Sequence, residues 1–139
     1  MIWCAVDSFA KQVQDFVDKT EAKMDLAVRK IALELFSRVI LRSPVDKGRF
    51  RANWQVAVGS IPSGILELED KSGTATVSKA DAASAGLKAG DVIYLVNNLP
   101  YAQLLEDGSS KQAPAGMVGL SVQEFQQIAK QVGFELVKL

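Results

Sequence analysis

Histidine is absent from this 139-residue chain. No histidine-dependent triad, imidazole metal ligand or ordinary neutral-pH proton shuttle is therefore available to it. Cysteine occurs once, at Cys4, so no internal disulfide can form and nothing points to an oxidising compartment. No apolar run approaches the roughly 20 residues that a membrane span requires. The first six residues carry no basic group and are followed at once by Asp7, which is unlike a secretory leader. The expectation is a cytosolic chain without a membrane segment. Net charge is missing too: 16 basic and 16 acidic residues cancel, a balance that argues against nucleic-acid affinity as the main purpose.

Recognisable catalytic patterns are also lacking. The serines of Gly59-Ser60 and Gly108-Ser109-Ser110 stand outside any G-x-S-x-G elbow, with no histidine to activate them. Gly86 and Gly90 have neither the spacing nor the Lys-Ser/Thr of a phosphate loop. The acid pairs Glu67/Glu69 and Glu106/Asp107 are of the kind found in most soluble chains, and a hard-cation site built on such carboxylates is the remote alternative. These observations predict a protein that binds, with no enzyme activity, no cofactor and no metal.

What is present is the composition of one globular domain, with 48% hydrophobic and 23% charged residues. The charges are unevenly spread. Up to Asn53 there are ten basic and seven acidic residues, and beyond it six basic and nine acidic. Most of the positive excess falls at Arg38, Arg42, Lys47, Arg49 and Arg51. One reading is a solvated helix end and turn. Another is a positive face that meets the negative part of a neighbouring copy, head to tail, and so closes a ring. A third is a phosphate-contacting patch with Phe50 and Trp54 interleaved, the footprint of a nucleic-acid-binding or general protein-interaction module.

Apolar or small residues recur at Phe9, Val13, Phe16, Val17, Thr20, Met24, Ala27, Val28, Ile31, Leu35 and Val39, in the steps of three and four that mark a helix. An unbroken helix over residues 7–42 would be about 54 Å long, so a break near residues 19–21 is expected. The stripe from Met24 to Val39 should cover a sheet, with a partner helix as the rival use. Ser43-Pro44 ends the helix. Asp46, bonding its own backbone, and Gly48 should form a turn, and residues 54–58 alternate as a half-buried strand.

Residues 65–68 read as a short strand. Residues 70–91 turn to Ser, Thr, Ala, Gly and Lys, suggesting an exposed excursion with a strand at 74–77 and a helical turn at 80–85. Val92 to Val96 is the strongest strand signal. A short helix follows over 101–106, ended by Gly108. Ser121 and Glu124 fit a capping box that opens a helix running to about Val132 and stopping at Gly133. The fold class predicted is α+β in one domain, with a long N-terminal and a C-terminal helix on a small antiparallel or mixed sheet.

Two segments carry a resemblance. Residues 42–54 (Arg-Ser-Pro-Val-Asp-Lys-Gly-Arg-Phe-Arg-Ala-Asn-Trp) and residues 94–109, with Asn97-Asn98-Leu99-Pro100-Tyr101-Ala102 and Leu105-Glu106-Asp107-Gly108, resemble the two signatures of the neck and tail-completion proteins of tailed double-stranded DNA bacteriophages. Pro114-Ala115-Gly116-Met117 fits the ending of that family, and the resemblance spans residues 26–132. It implies a non-enzymatic virion protein that forms a ring, often a hexamer, between the head connector and the tail, with DNA passing unread through its channel. Carried onto this chain, the resemblance implies that Arg49 and Glu106 form a charged pair, within the subunit or across an interface. Asp46 and Gly48 would shape the turn presenting Arg49, beside Arg51. Trp54, Tyr94 and Tyr101 would serve as core or interface anchors.

Overall fold

The structure, a computed structural model, describes the backbone of residues 2–137 and the side chains of residues 10–133. Helix α1 (Ile2–Arg42) runs 41 residues without interruption, about 60 Å at the standard rise. The break expected near residues 19–21 is not there. No glycine or proline interrupts the ladder, and the overhang that a break would have avoided is kept: residues 10–24 all stand exposed.

After α1 come α2 (Arg49–Ala52), β1 (Trp54–Val58), α3 (Thr74–Ser84), β2 (Ile93–Asn97), α4 (Ala102–Glu106), α5 (Val118–Gln123) and α6 (Phe125–Val137). The two strands form an antiparallel sheet with Trp54 opposite Asn97 and Val58 opposite Ile93. This is the α+β arrangement, with the sheet in its antiparallel form.

The stripe on α1 is divided between two partners. Val28, Ala32, Leu35 and Phe36 pack with Leu87 and with Val56, Ile93 and Leu95 of the sheet. Ala27, Ile31 and Leu35 meet Ile128 and Val132 of α6. Met24, expected to cover the sheet, is 53% exposed. A third group, with Val39, Ile40, Phe50, Trp54, Leu99 and Met117, forms the centre of the core.

Five further expectations need correction. Residues 70–91 are no exposed excursion: Thr76, Ala80 and Ser84 are buried along one face of α3, and Leu87 is 0% exposed. Their small side chains let α3 approach α1 and β1 closely, so low hydrophobicity here reflects close helix packing instead of solvation. The strand expected at 74–77 is the first turn of α3. Residues 65–68 form an extended loop held by a side chain, with Asn53 Oδ1 accepting from Leu66 N at 2.8 Å and Asn53 Nδ2 donating to Leu66 O at 3.0 Å. Ser121 caps nothing: it lies inside α5 and its hydroxyl donates to Met117 O. Helix α6 passes through Gly133.

Candidate functional site

The first signature begins where α1 ends. Ser43 is buried, donates its hydroxyl to Val39 O at 2.8 Å and accepts from the Trp54 indole N–H at 2.7 Å. Pro44 prevents the helix from continuing. Gly48 takes φ +91°, and a Cβ there would lie 2.6 Å from Lys71 N, so only glycine admits the strand of backbone that crosses it. Its carbonyl accepts from Asp70 N and Ala52 N, each at 3.0 Å. The turn itself is held from outside. Val45 N donates to Gln112 Oε1 at 2.8 Å and Gln112 Nε2 donates to Val45 O at 2.9 Å. Asp46, expected to bond its own backbone, is exposed.

Arg51 closes the C-terminus of α1. Its guanidinium donates to Leu41 O at 2.9 Å, Ser43 O at 2.8 Å and Lys71 O at 2.7 Å. The last carbonyls of a helix lack intrahelical partners and carry the negative end of its dipole, so a planar cation is well matched to them. Burial pushes the Arg51 pKa down, against the opposing attraction of Asp70, and its Nε is buried without a partner.

Two carboxylates do the converse at helix starts. Asp70 accepts from Gly73 N at 3.0 Å and from Thr76 N and Thr76 Oγ1 at 2.8 Å each, at the head of α3. Glu106 accepts from Met117 N, Val118 N and Gly119 N, each at 3.0 Å, at the head of α5. For both, burial pushes the pKa up, and the hydrogen bonds outweigh it and leave the carboxyl below its ordinary value. Glu106 therefore does not pair with Arg49 inside the subunit. Arg49 instead faces Glu67 at 3.7 Å, with side chains 46% and 86% exposed, a loose surface contact. Gly108, at φ +94°, would place a Cβ 2.3 Å from Pro114 O; it lets the chain turn back so that Glu106 reaches α5.

The basic cluster proposed from the sequence is largely consumed internally. Arg38 and Arg42 both pair with Glu124, and Arg38 also pairs with Glu34 at 3.0 Å. The hydrogen bond from Arg42, then the attraction of both arginines, holds the Glu124 carboxyl below its ordinary value. With Arg51 also engaged, Lys47 and Arg49 are the two members left exposed.

Both signatures line one open cleft of about 510 Å³ between the turn at 44–50 and helix α4. Phe50 and Tyr101 form its floor, with ring centroids 6.1 Å apart, and Phe50 in turn stands edge-on to Trp54 at 5.7 Å and 72°. Tyr101 remains 37% exposed, and the rim carries Lys47 and Arg49 against one acid, Asp46. Trp54 is buried, as an anchor should be; Tyr94 is half-buried in β2. An apolar floor with a basic rim suits recognition of another protein surface. Among the described residues no group of three acidic or thiol side chains is placed to hold a metal ion, and no helix is long and apolar enough to cross a membrane.

Sequence reasoning missed Asp70, Gln112 and Asn53, and it read Glu124 as a capping-box residue where the structure makes it the partner of Arg38 and Arg42. Asn53 had the best available signal, an amide directly before a strand, and its side chain ties α2 to the 65–68 loop.

No curated protein and no solved structure matches the chain. A family profile does, over residues 7–108, and its description is "Bacteriophage HK97-gp10, putative tail-component". The match takes in α1 from residue 7 onward, both strands, the first signature, all but the last residue of the second, and the whole of α4. The chain belongs to the HK97-gp10-like family of bacteriophage tail components.

Proposed function

We propose that this protein is a structural part of the virion neck or tail end, which forms a ring of identical copies, completes or terminates the tail, and joins it to the head connector. Six copies around the DNA channel is the arrangement the neck and tail-completion resemblance implies, with DNA passing through without specific recognition. The reading is carried by one observation: the two signature segments, separated in the chain by residues 55–93, line a single exposed cleft with an aromatic floor and a basic rim. Within that cleft Tyr101, Lys47 and Arg49 stay accessible to a partner. In the ring, each subunit offers that cleft to an acidic surface of the next copy or of the adjoining tail protein.

A nucleic-acid-binding role draws less support, because Arg38, Arg42 and Arg51 are already engaged inside the fold. Knocking out the gene should yield particles with incomplete tails or unjoined heads, and complementation with a Lys47→Glu, Arg49→Glu variant should fail while the purified variant keeps the wild-type melting curve. Absence of the protein from purified infectious particles would overturn the structural reading. Salt-sensitive retention on DNA, lost in that variant, would favour the nucleic-acid role.

A further inference from the structure

Helix α1 continues well past the body it belongs to. Its contacts with the body begin at Asp25, whose carboxylate accepts from Ala89 N at 2.8 Å, and residues 10–24 are exposed on every side. That arm is about 22 Å long, and it is not uniformly polar: Phe16 is 71% exposed, and Val13, Val17 and Met24 are exposed with it. Solvent-exposed apolar residues in a continuous row mark a surface that a partner covers.

The spacing says what kind of partner. Val13, Val17, Thr20, Met24, Ala27 and Ile31 follow one another in alternating steps of four and three, the a/d repeat of a helix-to-helix seam. The lower end of this seam already receives a helix within the subunit: Ala27 and Ile31 are packed by Ile128 and Val132 of α6. Ile128 and Val132 cover the seam as far as Leu26 and Ala27, while Val13, Val17, Thr20 and Met24 stay exposed. Charge narrows the partner further. Between residues 11 and 23 three lysines face three acids, all outside the seam, so the arm has no pull toward DNA or an anionic surface and two arms do not repel. We infer that the exposed seam of α1 pairs with the same seam on a second copy of this chain, an arm-to-arm contact separate from the cleft. This rests on the reading that copies assemble.

Sedimentation velocity of the full chain over a wide concentration range, with two arm variants, tests it. One variant carries Val13→Glu, Val17→Glu and Thr20→Glu, the other lysine at the same three positions. All three sites are exposed, so the melting curve of the body should be unchanged. The expected result is a self-associating wild type, loss of the larger species in each variant alone, and its return when the two variants are mixed. A wild type that stays monomeric at every concentration overturns the arm contact and leaves a templated role in the tail standing. Variants that assemble like wild type overturn it as well. So does a mixture that stays monomeric, which would move the partner of the seam to another surface.

Discussion

The Trp54 indole N–H and the Ser43 hydroxyl meet at 2.7 Å inside the core. The bond joins the start of β1 to the last turn of α1, because the Ser43 hydroxyl in turn donates a hydrogen bond to Val39 O. Replacing Ser43 with alanine leaves the buried indole donor unsatisfied, a loss of about 1–3 kcal/mol. Urea denaturation of Ser43→Ala should show a lowered midpoint with an unchanged slope, and Ser43→Thr should recover most of it. A midpoint equal to wild type for Ser43→Ala would show that water replaces the hydroxyl.

Arg51 and Arg49 stand two residues apart and should behave oppositely. Arg51 reaches three carbonyls at once with two nitrogens of a planar fork, a spread that the compact ammonium of lysine cannot match although it too has three N–H donors. Arg51→Lys should cost about 2–3 kcal/mol in thermal or urea unfolding. Arg49→Lys should change stability by less than about 0.5 kcal/mol, since its one partner, Glu67, is itself exposed. Equal losses in the two variants would contradict the assignment of Arg51 as the C-terminal cap of α1.

Acid sensitivity follows from Glu106. Its folded carboxyl is held below its ordinary value, so the stability it contributes is fully present above that value and is lost as pH falls through the depressed folded one. Asp70 and Glu124 act in the same sense. Melting temperature should therefore fall on acidification below about pH 4. Glu106→Gln, which loses the charge facing three amide donors, should cost about 1–2 kcal/mol at neutral pH and flatten part of the acid limb. A Glu106→Gln profile parallel to wild type would count against this.

Glycine positions give a matched pair. Gly108→Ala must adopt a positive φ and meets Pro114 O at 2.3 Å, which should cost more than about 2 kcal/mol. Gly86→Ala meets open space and should be neutral or stabilising by up to about 1 kcal/mol. Thermal melts of both variants make the comparison. Similar melting temperatures would mean that the 108–114 loop moves to accommodate a side chain.

Several elements were legible in the sequence because local rules govern them. The 3.6-residue stripe and the Ser43-Pro44 stop delimit α1 at its C-terminal end, the alternation at 54–58 is β1 and the apolar run at 92–96 falls one residue short of β2 at 93–97, and Pro100 with Gly108 brackets α4. The two signature segments pointed to a phage tail family before any geometry was known, and the family match bears that out. The absence of histidine and the single cysteine ruled out a histidine-dependent triad and an internal disulfide.

Tertiary structure alone decided which polar side chains serve which helix ends. Arg51 to Leu41 O and Glu106 to α5 are chosen by where loops bring together backbone ten or more residues away, whereas Asp70 finds Gly73 N and Thr76 N only three and six residues on; no periodicity records a partner that lies outside its own turn. It also turned residues 70–91 from an apparent excursion into part of the core, because Ala80 and Ser84 are buried by how closely two helices approach and not by their own hydrophobicity. Residue type and spacing sufficed wherever a segment's conformation depends on its neighbours in sequence; wherever a charge had to find an unpaired amide or carbonyl across the fold, the answer lay in three dimensions.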